Sequence, residues 1–199
     1  LIREFARHVV AIRAECPEGP VALVKEAKDT WRAAPCPGPL TVVATIHAYD
    51  LSVRAAYLDG TRGFFNGGAV LLAAEGLEKE RCELVIAAPR EVRRLGWHVA
   101  TTLAPVDVDA VGFGRYAAAD YDELIDHPVE IADFDAAAFD VGGVRHDIAV
   151  SGRHRGDLER LARDLAAVCR WQCELFEDTP GERPPFERYL FQIAVVGDG

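Results

Sequence analysis

Residues 120–130, with the sequence DYDELIDHPVE, concentrate the side chains of this chain that are best suited to chemistry. They hold five carboxylates and one histidine, more charge than the core of a packed helix or strand tolerates. Pro128 disfavours helical geometry at His127, so we expect a helical turn that begins at Asp120 to stop by Asp126. The pattern predicts a short acidic turn between two strands, here called the acidic segment. It is equally compatible with a solvated loop in which Asp120 only caps a helix.

No motif for a metal or an activated nucleophile accompanies the acidic segment. The six histidines lack the i, i+4 spacing of a His-Glu-x-x-His zinc helix, and no Gly-x-Ser-x-Gly elbow is present. His146 and His154 lie near one another in sequence, but a solvent-facing or hydrogen-bonded histidine explains each without a metal. The residues alone therefore predict no metal site and no catalytic group.

The cysteines favour free thiols. There are five, an odd number without a Cys-x-x-Cys pair, which argues against both a disulfide framework and a structural zinc site. Cys169 and Cys173 lie four residues apart on an expected helix, where buried apolar thiols explain them better than shared metal ligands do. We therefore expect a reducing compartment and a cytoplasmic protein.

Length and charge narrow the class of protein. The chain has 199 residues, of which 50% are hydrophobic, enough to bury a substantial core. Its net charge of −10 opposes binding to nucleic acid or to an anionic membrane surface, so neither is expected as a partner. No apolar run approaches the roughly 20 residues that span a bilayer. The sequence contains no methionine, and we expect it to be a fragment of a longer protein.

Hydrophobic patterning predicts a mainly β chain with an α/β extension. Residues 40–50 alternate between apolar and polar, and further short apolar runs follow up to about residue 140. This spacing favours an antiparallel β-sandwich or barrel, and Asn66-Gly67 is typical of a hairpin. After Gly142-Gly143 the pattern predicts a strand, a long amphipathic helix capped by Asp157, and an apolar strand over residues 189–196 that is fully buried.

Four blocks of sequence, in order along the chain, resemble the glycyl aminopeptidase family. They are DLSVRAAYLD at residues 50–59, TRGFFNG at 61–67, the acidic segment, and a final block over 188–199 that begins RYLF and ends VGDG. Members of this family are bacterial zinc metallopeptidases of the thermolysin-like (gluzincin) group that usually carry a carboxy-terminal PDZ domain. The resemblance covers nearly the whole chain, and composite blocks of this length are far more specific than a short motif.

The resemblance implies two parts. Residues 1–140 would form an amino-terminal β-sandwich domain without its first strands. Residues 141–199 would begin a thermolysin-like catalytic domain and stop before its His-Glu-x-x-His helix. Zinc is then a cofactor of the full-length parent, which would remove amino-terminal glycine or alanine from peptides, whereas this fragment is expected to bind no zinc and to be inactive. Its partners would be the remainder of the catalytic domain and a peptide substrate.

The same resemblance gives the acidic segment a possible role. An aminopeptidase must hold a free α-ammonium group, which calls for carboxylates at the closed end of its cleft. The candidate residues for lining or bracing that end are Asp120, Tyr121, Asp122, Glu123 and Asp126, with His127 orienting a carboxylate. Alternatively, the segment only pins the β domain to the catalytic domain.

Arg62 and the chain as a whole each allow two interpretations. Arg62, beside two phenylalanines, is either an exposed contact to a neighbouring domain or substrate, or part of an ordinary hairpin whose phenylalanines enter the core.

The whole chain could instead be a non-catalytic interaction or carbohydrate-binding β-sandwich. The long helix after residue 156 argues against that class, since its apolar face at Leu161, Leu165, Val168 and Phe176 expects partners. We therefore also expect possible self-association of the fragment.

Overall fold

The structure, a computed structural model, describes residues 4–176 and 183–197. Within these residues the chain is mainly β, with several small antiparallel sheets and one long helix, as the sequence predicts. A 3-10 helix, Phe5–His8, precedes the first strand. The first sheet has the order β2-β1-β5, and a separate hairpin pairs β3 with β4. Their bounds are β1 Val9–Cys16, β2 Gly19–Val21, β3 Leu23–Ala27, β4 Thr30–Ala33 and β5 Thr41–Ile46.

Two further antiparallel sheets enclose the main hydrophobic core. One has the order β6-β7-β12-β9 and the other the order β10-β11-β8. The strands are β6 Ala56–Leu58, β7 Arg62–Phe65, β8 Cys82–Ile86, β9 His98–Ala100, β10 Ala104–Val108, β11 Gly114–Ala118 and β12 Val129–Ala132. Between them lies a buried cluster that consists of Ile86, Leu103, Phe113, Tyr116, Ala118, Leu124 and Val129. Leu124 belongs to the acidic segment, so the core itself holds that segment in place.

Three short helices connect these strands: α1 Gly67–Val70, α2 Arg90–Arg94 and α3 Tyr121–Asp126. The hairpin expected at Asn66-Gly67 is wrong. The chain turns instead at residues 59–61, between β6 and β7, and Asn66 caps α1 by accepting a hydrogen bond at Oδ1 from the Gly68 amide, 3.1 Å away. Asparagine suits both a tight turn and a helix cap, and the second use prevails here.

The last sheet contains β13 Phe134–Val141, β14 Val144–Ser151 and β15 Arg188–Ala194, in that order. β13 and β14 are antiparallel and joined at Gly142-Gly143, whose φ angles of 58° and 72° suit glycine. β15 is parallel to β14, which requires a long crossover. The crossover contains helix α4, Leu158–Phe176, so the predicted strand, helix and strand are confirmed. No helix of the described residues is long and apolar enough to cross a membrane.

Asp157 caps α4, as expected, because its Oδ1 accepts a hydrogen bond from the Arg160 amide at 2.9 Å. The predicted end of this helix at residues 179–181 lies outside the described residues. The expectation that the last strand is fully buried is wrong, since every residue of β15 is half-buried or exposed. The reason is its place in the sheet: β15 is an edge strand and pairs only with β14 among the described strands.

Candidate functional site

The acidic segment forms a capped helical turn. Asp120 precedes α3 in an extended conformation, and its Oδ1 accepts a hydrogen bond from the Glu123 amide at 2.9 Å. The Glu123 carboxylate reaches back and accepts a hydrogen bond from the Ala119 amide. The two carboxylates thus satisfy backbone donors at the start of the helix, much as in a capping box. The prediction of a short acidic turn between two strands that ends by Asp126 is confirmed.

Lys79 neutralises part of this charge. Its Nζ lies 3.1 Å from Asp120 Oδ2 and 2.7 Å from Asp122 Oδ2. The pKa of Asp120 is lowered, first by the hydrogen bond from the Glu123 amide and then by Lys79. The ammonium group of Lys79 is exposed, so solvent weakens both ion pairs. Asp120 and Asp122 are therefore engaged with the protein itself, and their geometry suits a bracing role.

Tyr121 and Ile125 hold α3 against α1 and the residue that follows it. The Tyr121 hydroxyl donates a hydrogen bond to the Leu71 carbonyl at 2.9 Å, and burial raises the pKa of this tyrosine. Ile125 packs against Gly67 of α1 so closely that a Cβ atom on Gly67 would lie 2.7 Å from the Ile125 Cα. The acidic segment is therefore held at its apolar residues as well as at its cap.

Asp126 ends α3, and His127 follows it directly. Asp126 is exposed at the end of α3, and no hydrogen bond or ion pair within the described residues uses its carboxylate. His127 lies next to it in sequence, but its Nδ1 is 2.6 Å from Thr102 Oγ1, so its described hydrogen bond is to a hydroxyl rather than to a carboxylate. Of the carboxylates singled out from the sequence, Asp126 is the one most available to a ligand.

Arg62 forms an ion pair inside the protein. Its guanidinium forms two hydrogen bonds with the carboxylate of Glu130, at 2.9 and 2.6 Å, and their side chains are only 12% and 3% exposed. The rings of Tyr57 and Phe64 lie 5.8 and 5.6 Å from the guanidinium carbon. This buried ion pair ties the end of the acidic segment to β7. The sequence signal for it was Glu130 itself, a charged residue inside an apolar strand.

The polar turn between β6 and β7 also contacts Arg62, through Asp59. Asp59 accepts hydrogen bonds from the hydroxyl and amide of Thr61, from the Tyr57 hydroxyl and from the Arg62 amide. These bonds, led by the Thr61 hydroxyl, lower the pKa of Asp59 to about 2. The hydrogen bond to Asp59 is the main reason why the pKa of Tyr57 rises to about 12. Both side chains keep one charge state across the neutral range, so the turn is a fixed support.

Gln192 of β15 connects the last sheet to the acidic segment. Its Nε2 donates hydrogen bonds to the carbonyls of Ala100, at 2.8 Å, and Pro128, at 3.2 Å. Pro128 lies inside the acidic segment and Ala100 ends β9. The contact therefore joins the α/β part of the chain directly to the segment that the sequence singles out.

A second feature is an apolar groove of about 580 Å³ between α4 and the face of β14 and β15, here called the α4 groove. Its sheet side is aromatic: His146, which is 1% exposed, stacks on Phe139 at 5.0 Å and on Tyr189 at 5.6 Å. His146 Nδ1 is 3.0 Å from the Val144 carbonyl, so this histidine is hydrogen-bonded, one of the two roles expected from the sequence.

Part of the apolar surface of α4 is exposed, both at the α4 groove, where Val168 and Phe176 lie, and beside it. Four large side chains of α4 are between 53% and 83% exposed, namely Val168, Trp171, Leu175 and Phe176. No residue of this helix is fully buried. The helix therefore presents an apolar surface that the described residues leave uncovered.

Metal ligands do not gather anywhere in the described part of the chain, where no group of three or more His, Cys, Asp or Glu side chains is arranged to hold an ion. The residues at hand do not fit a zinc site.

Comparison with known proteins identifies the class of protein to which this chain belongs, the amino-terminal domain of a peptidase. The sequence matches the Peptidase M61 N-terminal domain over residues 1–133, which is more than half of the chain. The chain belongs to the peptidase M61 family, a family of metallopeptidases. The sequence resemblance to glycyl aminopeptidases is thereby confirmed. No curated protein matches the chain significantly.

A solved structure extends the comparison over the whole chain. The crystal structure of the aminopeptidase N family protein from Idiomarina loihiensis is similar with a TM-score of 0.91 and 38% sequence identity. The match covers 100% of this chain and 33% of that one. The chain therefore spans about a third of the length of the protein it matches, and that protein has further residues beyond the matched part.

Proposed function

We propose that this chain is the non-catalytic amino-terminal part of a zinc-dependent aminopeptidase that removes glycine or alanine from the amino termini of peptides. The observation that carries the proposal is the match to the M61 amino-terminal domain, together with the similarity along the whole chain to a third of a longer aminopeptidase-family protein. Zinc would be held by residues of the remaining part. Bound there, it would polarise the scissile carbonyl and activate a water molecule.

The role proposed for the acidic segment is to form one wall of the substrate cleft in the longer protein. An α-ammonium group is best held by carboxylates, and Asp126 offers one that the described residues leave unused. Asp120, Asp122 and Glu123 are instead occupied by Lys79 and by backbone amides, which supports a bracing role for them. His127, held by Thr102, fixes the exit of the helix beside Asp126.

The α4 groove supports a further part of the proposal, which concerns partners. We expect the remainder of the catalytic domain to cover this groove and the exposed side of α4 in the longer protein. The division into an amino-terminal β-sandwich and the beginning of a thermolysin-like domain near residue 140 belongs to the same proposal. The family match ends at residue 133, and β13, which begins at Phe134, already pairs with β14 of the last sheet, so these observations support a division just before β13. The uncovered apolar surface also makes self-association of the isolated chain an expected property.

Asp126→Asn in the longer protein tests the proposed substrate contact. Loss of a charge-assisted hydrogen bond to the substrate ammonium costs about 1.5–3 kcal/mol, so kcat/KM for glycyl and alanyl amides should fall roughly 10- to 100-fold. Zinc content and melting temperature should stay unchanged, because the Asp126 side chain is exposed and supports no described contact.

The matched control is Asp29→Asn, which removes the same charge from an exposed residue between β3 and β4. Its kcat/KM should equal that of the unchanged protein. If Asp126→Asn retains kcat/KM within about twofold while zinc content and folding hold, Asp126 does not contact the substrate, and the segment only braces the domain.

A further inference from the structure

The fold brings two cysteines together that are distant in sequence. Cys16 is the last residue of β1, and Cys36 lies in the proline-rich connection between β4 and β5. This connection is anchored at both ends: the Ala34 amide donates a hydrogen bond to the Ala22 carbonyl at 2.9 Å, and Thr41 of β5 pairs with Glu15 of β1. The path between the two anchors therefore passes the end of β1.

Contacts along this path place Cys36 beside Cys16. A Cβ atom on Gly38 would lie 4.0 Å from Pro17 Cγ, so the connection packs on the residue that follows Cys16. Both cysteines are half-buried, and burial, followed by the neighbouring Cys16, raises the pKa of Cys36. Cys36 therefore lies in a segment that packs next to Cys16, at the junction of β1, β2 and β5.

The other cysteines are less suited to pairing. Cys169 and Cys173 lie on consecutive turns of α4, where Cβ atoms are about 5–6 Å apart. A disulfide needs Cβ atoms about 3.5–4.5 Å apart, so bridging this pair would distort the helix. Cys82 has its Sγ near the Glu80 carbonyl, at 3.5 Å, in a different sheet. The pair formed by Cys16 and Cys36 is therefore the one that chain geometry favours.

We propose that Cys16 and Cys36 are an oxidisable pair that forms a disulfide when the protein meets a disulfide oxidant such as oxidised glutathione. One cysteine thiolate attacks the glutathione disulfide and releases one glutathione thiol. The second cysteine thiolate then attacks the mixed disulfide, forms the protein disulfide and releases the second glutathione thiol. Two thiols are oxidised and one disulfide is reduced, so electrons and atoms balance.

The crosslink would close a loop over residues 17–35, which contains β2, β3 and β4. Closing a loop of this size restricts the unfolded chain and makes unfolding harder. For a chain of this length the melting temperature should rise by about 5–10 °C on oxidation. The odd number of cysteines does not oppose this pairing, because the remaining three stay free.

Peptide mapping of the 199-residue chain tests the pairing directly. After equilibration with oxidised glutathione and alkylation of free thiols, trypsin places each of the five cysteines on a separate peptide. Mass spectrometry without reduction should then find the peptide of residues 14–25 linked to the peptide of residues 33–54. Separately alkylated or glutathionylated peptides for both cysteines, or equal linkage of Cys16 to Cys82 and Cys169, would overturn the proposal.

Thermal unfolding supplies the second measurement. The variant Cys36→Ser should lose the rise in melting temperature on oxidation. The double variant Cys169→Ser/Cys173→Ser should keep both the rise and the linked peptides. A rise that persists in Cys36→Ser, or disappears in the helix double variant, would contradict the assignment.

Discussion

Replacing Arg62 by methionine is expected to lower the free energy of unfolding by about 3–5 kcal/mol. Glu130 would then stay behind as a buried charge, 3% exposed, without the guanidinium that pairs with it. The methionine side chain keeps most of the apolar contact with Tyr57 and Phe64, so the loss reports the charge rather than the packing. Urea unfolding followed by circular dichroism measures it.

Two control variants show whether the loss of stability comes from leaving a buried charge without its partner. Arg32 makes the same two-bonded contact with Glu26, including an Nη2 to Oε2 bond of 2.8 Å, but its side chain is 69% exposed. Arg32→Met should therefore leave stability nearly unchanged, because solvent screens the pair. The double variant Arg62→Met/Glu130→Leu should recover most of the loss, since no unpaired charge remains. A loss below about 1 kcal/mol in Arg62→Met would contradict the account.

Gly67→Ala is the second substitution with a large expected effect. The new Cβ would meet the backbone of α3, 2.7 Å from the Ile125 Cα, and neither helix can yield by rotating a side chain. Overpacking of this kind costs about 1–3 kcal/mol. Helix α3 should also move away from α1, which amide chemical shifts of residues 120–127 would detect.

The neighbouring glycine provides a matched control for this substitution. A Cβ on Gly68 would find its nearest atom, Asn66 Oδ1, at 3.5 Å, which is ordinary contact. Gly68→Ala should therefore be neutral or slightly stabilising, because alanine restricts the unfolded chain. Equal destabilisation by both alanines would mean that the close packing of α1 on α3 is not what holds the acidic segment.

Features that depend on neighbouring residues were predictable from the sequence. The helix over Leu158–Phe176 follows from its apolar spacing and from Asp157, whose carboxylate caps it in the structure. The end of α3 at Asp126 follows from the conformational restriction that Pro128 places on His127. In both cases one local rule decides the outcome, and tertiary packing agrees with it.

Features that depend on distant residues were not predictable in this way. Lys79 reaches Asp122 across 43 positions of sequence, and Arg62 reaches Glu130 across 68. No local pattern relates such residues, because strand pairing alone decides which of them meet. The role of Asn66 was not predictable for the same reason, because its local sequence suits a tight turn and a helix cap equally well. Nor was the exposure of β15, which depends on its position at the edge of the sheet.

Hydrolysis of glycyl and alanyl amides by the 199-residue chain and by the proposed longer protein, together with the zinc content of each, tests the central claim most directly. The account predicts that the longer protein retains zinc and releases amino-terminal glycine and alanine, whereas the 199-residue chain does neither. Zinc-dependent hydrolysis by the 199-residue chain would contradict it. So would a folded longer protein that retains zinc and leaves these substrates intact.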